Sequence, residues 1–188
     1  MIHSEWINKD GRVIGMSLKD SFEAVVHRYR LSRRDVVVMN AGVHFHVLKE
    51  LLRKQVSAFV RFIDDHAANK PRVIWRETSP QFWATADLDL PHLANATACE
   101  PRDIHNEYNP ITDPLIARSS SIRVLRTWQL SNAEGSGIMK GLGRVRSGRV
   151  ALDCTHLCMP SIVLDRWNVC LLKGLAELPN WLPDRSIT

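Results

Sequence analysis

Two hydrophobic periods alternate along the 188 residues of this chain, one of about two and one of about 3.6 residues. Arg12-Val13-Ile14 is strand-like, and a helical pattern follows from Lys19 to Arg30. Val36 to Met39 is a short β-branched run bounded by Asp35 and by Asn40-Ala41-Gly42, which suits a strand buried on both faces. Leu48, Leu51, Leu52, Val56, Phe59 and Ile63 then recur at helical spacing, and Lys70-Pro71 marks the stop. Val73 to Trp75 reads as the next strand. Residues 84 to 113, with Pro91, Pro101 and Pro110, read as an irregular rim. The pattern predicts a helix near Pro114 to Ser121, a strand at Ile122 to Trp128 and a loop rich in Gly, Ser and Arg over residues 131 to 149. Val163, Trp167, Cys170, Leu171, Gly174, Leu175 and Leu178 describe one face of a C-terminal helix that Pro179 ends.

Strands alternating with helices imply an α/β protein, a parallel sheet with helices on both faces, in one domain over residues 1 to 188. Ligands of such sheets gather beyond the carboxyl ends of the strands. Asn40 follows one strand, Arg76 and Glu77 end another, and the turn from Asp153 to His156 follows the third. Three separate segments are thereby expected at one rim.

The run Leu152-Asp153-Cys154-Thr155-His156-Leu157-Cys158-Met159-Pro160, followed by Trp167-Asn168, carries the sharpest chemistry. Neutral imidazole takes a proton from a hydroxyl near pH 7 when a carboxylate fixes its tautomer and stabilises the imidazolium. Asp153, three residues before His156, suits that pairing. Set against it is a plain alternative, with Asp153 capping a turn and His156 a satisfied loop histidine, because D-x-x-H alone is a weak signal.

The longer string resembles the C-terminal block of the PC-esterase family, the trichome-birefringence-like and related proteins of the SGNH/GDSL acyl-esterase superfamily. That block reads D-C-S/T-H-W-C-L-P-G and then W-N. Asp153, Cys154, His156, Cys158, Pro160, Trp167 and Asn168 match, while Leu157, Met159 and Ser161 depart from it. Asp35 to Gly42 with His44 is similar to the family's D-V-V-V-x-N-x-G-x-H segment, and Val73 to Gln81 to its I-W-R-E-T-S/T-P-Q-H-F block. In the latter the family histidine is missing, since Phe82 and Trp83 follow Gln81 directly.

The resemblance implies a three-layer SGNH-type fold and a Ser-His-Asp acyl-ester hydrolase or O-acetyltransferase acting on acetylated polysaccharide or glycan. Asp153 and His156 would be catalytic, and Asn40 would belong to the oxyanion hole. Gly42, His44 and Arg76 would join Asn40 in holding oxyanion and substrate, although Arg76 equally suits an internal pair with Glu77. The family's G-D-S serine block should precede Asp35 by several dozen residues, yet only 34 residues stand there, so an N-terminally truncated chain is expected. Ser17, between the strand-like Val13-Ile14 and a helical pattern, is the nearest imitation of that serine. It equally fits the N-cap of the helix, and that role is the favoured one. A non-catalytic carbohydrate-binding remnant of the same fold is the competing expectation.

Four cysteines, Cys99, Cys154, Cys158 and Cys170, permit two disulfides in three pairings. The resemblance favours Cys99 joined to Cys154 or Cys158 and points to the secretory pathway, while Cys170, on the expected C-terminal helix, reads as a buried thiol. The C-x-H-x-C spacing is not a zinc knuckle, so no metal and no cofactor are expected. His44 and His46 lack an acidic neighbour and read as rim histidines rather than ligands. The net charge of +5 comes from arginines scattered among small and acidic residues, which argues for a solvated surface and no nucleic-acid partner. No window reaches the roughly 18 apolar residues of a membrane span.

Overall fold

The computed structural model describes residues 6–7, 13–14, 17–42, 48–79, 83–84, 99–100, 107–133, 141–144, 150–153 and 162–176. For 6–7, 13–14, 83–84, 99–100, 132–133, 141–144, 150–153 and 162 the description is of the backbone. Its elements are β1 (Trp6–Ile7), β2 (Val13–Ile14), α1 (Leu18–Tyr29), β3 (Val36–Met39), α2 (Lys49–His66), β4 (Arg72–Arg76), β5 (Trp83–Ala84), β6 (Cys99–Glu100), α3 (Asn109–Ile116), β7 (Ile122–Leu125), α4 (Trp128–Ala133), β8 (Gly141–Arg144), β9 (Val150–Asp153) and α5 (Ile162–Ala176). They fall into two compact units. One comprises Met1–Thr78, Glu107–Leu125 and Leu178–Thr188, the other Ser79–Asn106 and Arg126–Glu177.

The first unit contains a parallel three-stranded sheet in the order β3-β4-β7. The class expected from the alternating periods is therefore the one found, and the β3 and β4 segments are neighbours. Side chains alternate across strands, so register sorts them into rows. Val37, Val73 and Ile122 form one row and Met39, Trp75 and Val124 the next, all packed in the same core. Leu18 and Phe22 of α1, six side chains of α2, and Ile111 and Ile116 of α3 close over these rows. Phe59 links the layers, edge-on to Phe22 at 5.6 Å and tilted on Trp75 at 6.4 Å. Each such buried aliphatic or aromatic side chain contributes roughly 1.5–3 kcal/mol.

All three helices of this unit join one face of the sheet. The order explains two of them. The chain steps from β3 to β4 to β7 in one direction, and right-handed crossovers then place α2 and α3, the helices between those strands, on the same side. The opposite face carries Val36, Val38, Arg72, Ile74 and Arg123; Val38 is 43% exposed and Ile74 only 5%.

Helix boundaries follow local chemistry. Ser17 caps α1: its hydroxyl accepts from Asp20 N at 3.1 Å and donates to the Asp20 carboxylate at 2.7 Å. At the other end Leu31 N donates to Val26 O and Arg30 N to His27 O, a Schellman turn with Arg30 at φ 52° where glycine is usual. Helix α3 starts five residues before the expected Pro114, because Pro110 suits a first helical turn as well as Pro114 does. Pro114 is carried inside this eight-residue helix.

In the second unit β8 and β9 form an antiparallel pair, Gly141 opposite Asp153 and Arg144 opposite Val150, with β8 inside the stretch expected to be loop and β9 directly after it. Asp153 therefore ends a two-stranded sheet, not the third strand of the parallel sheet, which is β7 and stops at Leu125. The expected strand to Trp128 is cut short because Thr127 O accepts the first bond of α4 from Ser131 N. The face foreseen for α5 is the one withdrawn from solvent, with Val163 buried and Trp167, Cys170, Leu171, Gly174 and Leu175 half-buried. Trp167 Nε1 donates to Ser131 Oγ at 2.9 Å, and that hydroxyl donates to Thr127 O at 2.7 Å.

Candidate functional site

The carboxyl ends of β3 and β4 are tied together by the Asn40 side chain. The bond from Arg72 N to Asp35 O fixes the phase of the ladder, so that Arg72, Ile74 and Arg76 bond across to β3. The following rung would bring Ala41 N–H to the Arg76 carbonyl. Asn40 Nδ2 takes that carbonyl instead, at 3.0 Å, and the ladder ends there.

The second proton of the same amide goes to Thr78 Oγ1 at 3.1 Å, and the Thr78 hydroxyl donates to Ala41 O at 3.0 Å. Thr78 is held in turn by Asn109, whose Oδ1 accepts from Thr78 N at 2.8 Å and whose Nδ2 donates to Thr78 O at 3.0 Å. Thr78 and Asn109 are 2% and 1% exposed, so each of these bonds replaces water that burial removes. Gly42 belongs to the same packing. A Cβ there would lie 2.5 Å from Thr78 Oγ1 and 3.0 Å from the Tyr108 Cβ, so the close approach admits no side chain.

Two ionisable groups beside this network are perturbed. Burial lowers the Arg76 guanidinium to about 10, which still leaves it charged at neutral pH. Burial, reinforced by the Glu107 carboxylate, raises the Tyr108 phenol. Glu107 itself pairs with Lys49 at 3.1 Å in an exposed bridge of small energetic weight.

Of the site residues expected from sequence, Asn40, Gly42 and Arg76 stand together at the ends of adjacent strands. Asp153 is placed by its backbone as the last residue of β9. His156, His44, Cys154 and Cys158 lie outside the described residues, as does the side chain of Cys99. Cys170 is a free, half-buried thiol. The Ser17 hydroxyl is engaged on both sides by Asp20, as a cap. Thr78 and Asn109 were not singled out from sequence. Asn109-Pro110 carried the signal of a helix start, but it lay in the stretch read as irregular.

No protein-family model matches the chain, and no curated protein matches it. Among the described residues, no helix is long and apolar enough to cross a membrane.

Proposed function

We propose that the chain is an acyl-ester hydrolase or O-acetyltransferase of the SGNH type, acting on acetyl groups of a polysaccharide or glycan, with a three-layer sheet as its scaffold. A serine hydroxyl attacks the ester carbonyl, its proton passes to His156, and Asp153 orients the imidazole and stabilises its cation. Asn40 and the Gly42 backbone face the oxyanion, Arg76 holds a sugar or carboxylate oxygen, and the alcohol leaves with the proton from His156. Water or a second glycan hydroxyl then takes the acyl group.

The observation that carries this reading is the bond between Asn40 Nδ2 and the Arg76 carbonyl at 3.0 Å. Two motif segments 36 residues apart in sequence meet at the carboxyl ends of neighbouring parallel strands, where α/β ligand sites form. The test is release of acetate from an acetylated polysaccharide, followed together with retention on that polysaccharide. Release supports acyl chemistry, and its absence from a folded chain that also fails to bind removes the reading.

One observation favours the competing view of a non-catalytic glycan-binding domain: the Ser17 hydroxyl is spent on Asp20 at 2.7 Å and 3.1 Å. Retention on the polysaccharide without release of acetate is the outcome that view expects.

A further inference from the structure

We propose that Thr78 and Asn109 are positioning residues for Asn40, and that the Thr78 hydroxyl occupies, in the free protein, the place an oxyanion takes on Asn40. The second half of this inference rests on the acyl-transfer reading; the first does not.

A carboxamide that gives both its groups to the backbone of one residue acts as a surrogate rung of sheet. Asn109 does this to Thr78 across 31 residues of sequence, with bonds of 2.8 Å and 3.0 Å. The clamp leaves the Thr78 hydroxyl one role. Its single proton goes to Ala41 O, so toward Asn40 it can only accept. The Arg76 carbonyl also can only accept. Asn40 must therefore turn Nδ2 toward both, and the assignment of its amide nitrogen and oxygen is fixed by its partners.

The two bonds of Asn40 differ in what can replace them. The one to Arg76 O belongs to the strand end and holds the amide in place. The one to Thr78 Oγ1 joins it to a neutral hydroxyl, a weaker acceptor than an oxygen carrying developing negative charge. Exchange of Thr78 Oγ1 for substrate oxygen is thus most favourable in the transition state, where such an interaction accelerates a reaction.

The test reads the two Asn40 side-chain protons by NMR in the full chain, with the backbone amides of β4 as the reference for global opening. In the wild type both protons should be resolved and protected. Thr78→Val, which keeps the shape and removes the hydroxyl, should speed their exchange by about tenfold or more, and Thr78→Ser should stay within about twofold. Asn109→Asp, which loses the donor to Thr78 O, should also speed it. On an aryl acetate, Thr78→Val should lower kcat and leave KM within about twofold.

Unprotected Asn40 protons in the wild type overturn the proposal even if the valine variant does not fold. So does wild-type exchange in Thr78→Val, or Thr78→Ser behaving like Thr78→Val, which marks a packing role. A wild type that releases no acetate while its Asn40 protons respond as expected keeps the positioning role and removes the oxyanion exchange, along with the acyl-transfer reading.

Discussion

Residues around the parallel sheet and those of the second unit are stabilised in different ways. In the first unit, a core of Phe22, Phe59, Trp75 and their aliphatic neighbours is closed between three helices and one face of the sheet. The site network is made by partners 31 to 38 residues apart. Among the described residues of the second unit the ladders are antiparallel pairs of two and four residues, and the polar chain Trp167–Ser131–Thr127 runs between helices α4 and α5. An aromatic core gains stability from area removed from water, whereas each hydrogen bond of that polar chain gains about 1 kcal/mol. The contrast bears directly on function. Asn40 and Arg76 are set by the first kind of structure, while Asp153 is the last residue of one of the short ladders.

The largest expected effect is on the first unit. Trp75→Ala removes a fully buried ring from the centre of the sheet and should cost about 3–5 kcal/mol by urea denaturation. A loss below about 1 kcal/mol would break the comparison, because the core would not depend on its central ring. Gly42→Ala comes next. A methyl group 2.5 Å from Thr78 Oγ1 forces the β3 end apart from the loop after β4, at about 1–3 kcal/mol, and should unprotect the Asn40 side-chain protons.

In the second unit Trp167→Phe keeps a ring and removes one donor, for about 1 kcal/mol. Native-state hydrogen exchange should show the loss in α5 amides and leave α2 amides unchanged. Equal losses in both helices would mean that the two regions open as one. The smallest effect is a gain. Arg30→Gly relieves a left-handed residue at the Schellman turn and should stabilise the first unit by up to about 1 kcal/mol, read in the same denaturation curves.

The legibility of the sequence followed periodicity and not the division into units. Strands β3 and β4, helix α2 and the buried face of α5 were visible because each is long or strongly periodic, and Asn40 and Arg76 followed as strand ends. Helix α3 was misplaced because two prolines, Pro110 and Pro114, offered equivalent starts within five residues. Strand β8 was hidden by Gly141, Gly143 and Arg144, which leave Leu142 as its one large apolar side chain, and β9 is a run of only four residues beside the Asp153 turn. The shared side of α2 and α3 is set by strand order, which no single segment encodes. Thr78 and Asn109 matter through pairing across 31 residues of sequence, and residue type alone does not announce that.

Acetate release from an aryl acetate by the wild type, His156→Ala and Ser17→Ala tests the central claim most directly. The account predicts release by the wild type, a loss of about a thousandfold or more in His156→Ala, and a rate within about twofold in Ser17→Ala, whose hydroxyl serves the cap of α1, so that the attacking serine is one other than Ser17. A wild type without activity, or a His156→Ala variant as active as the wild type, would contradict it.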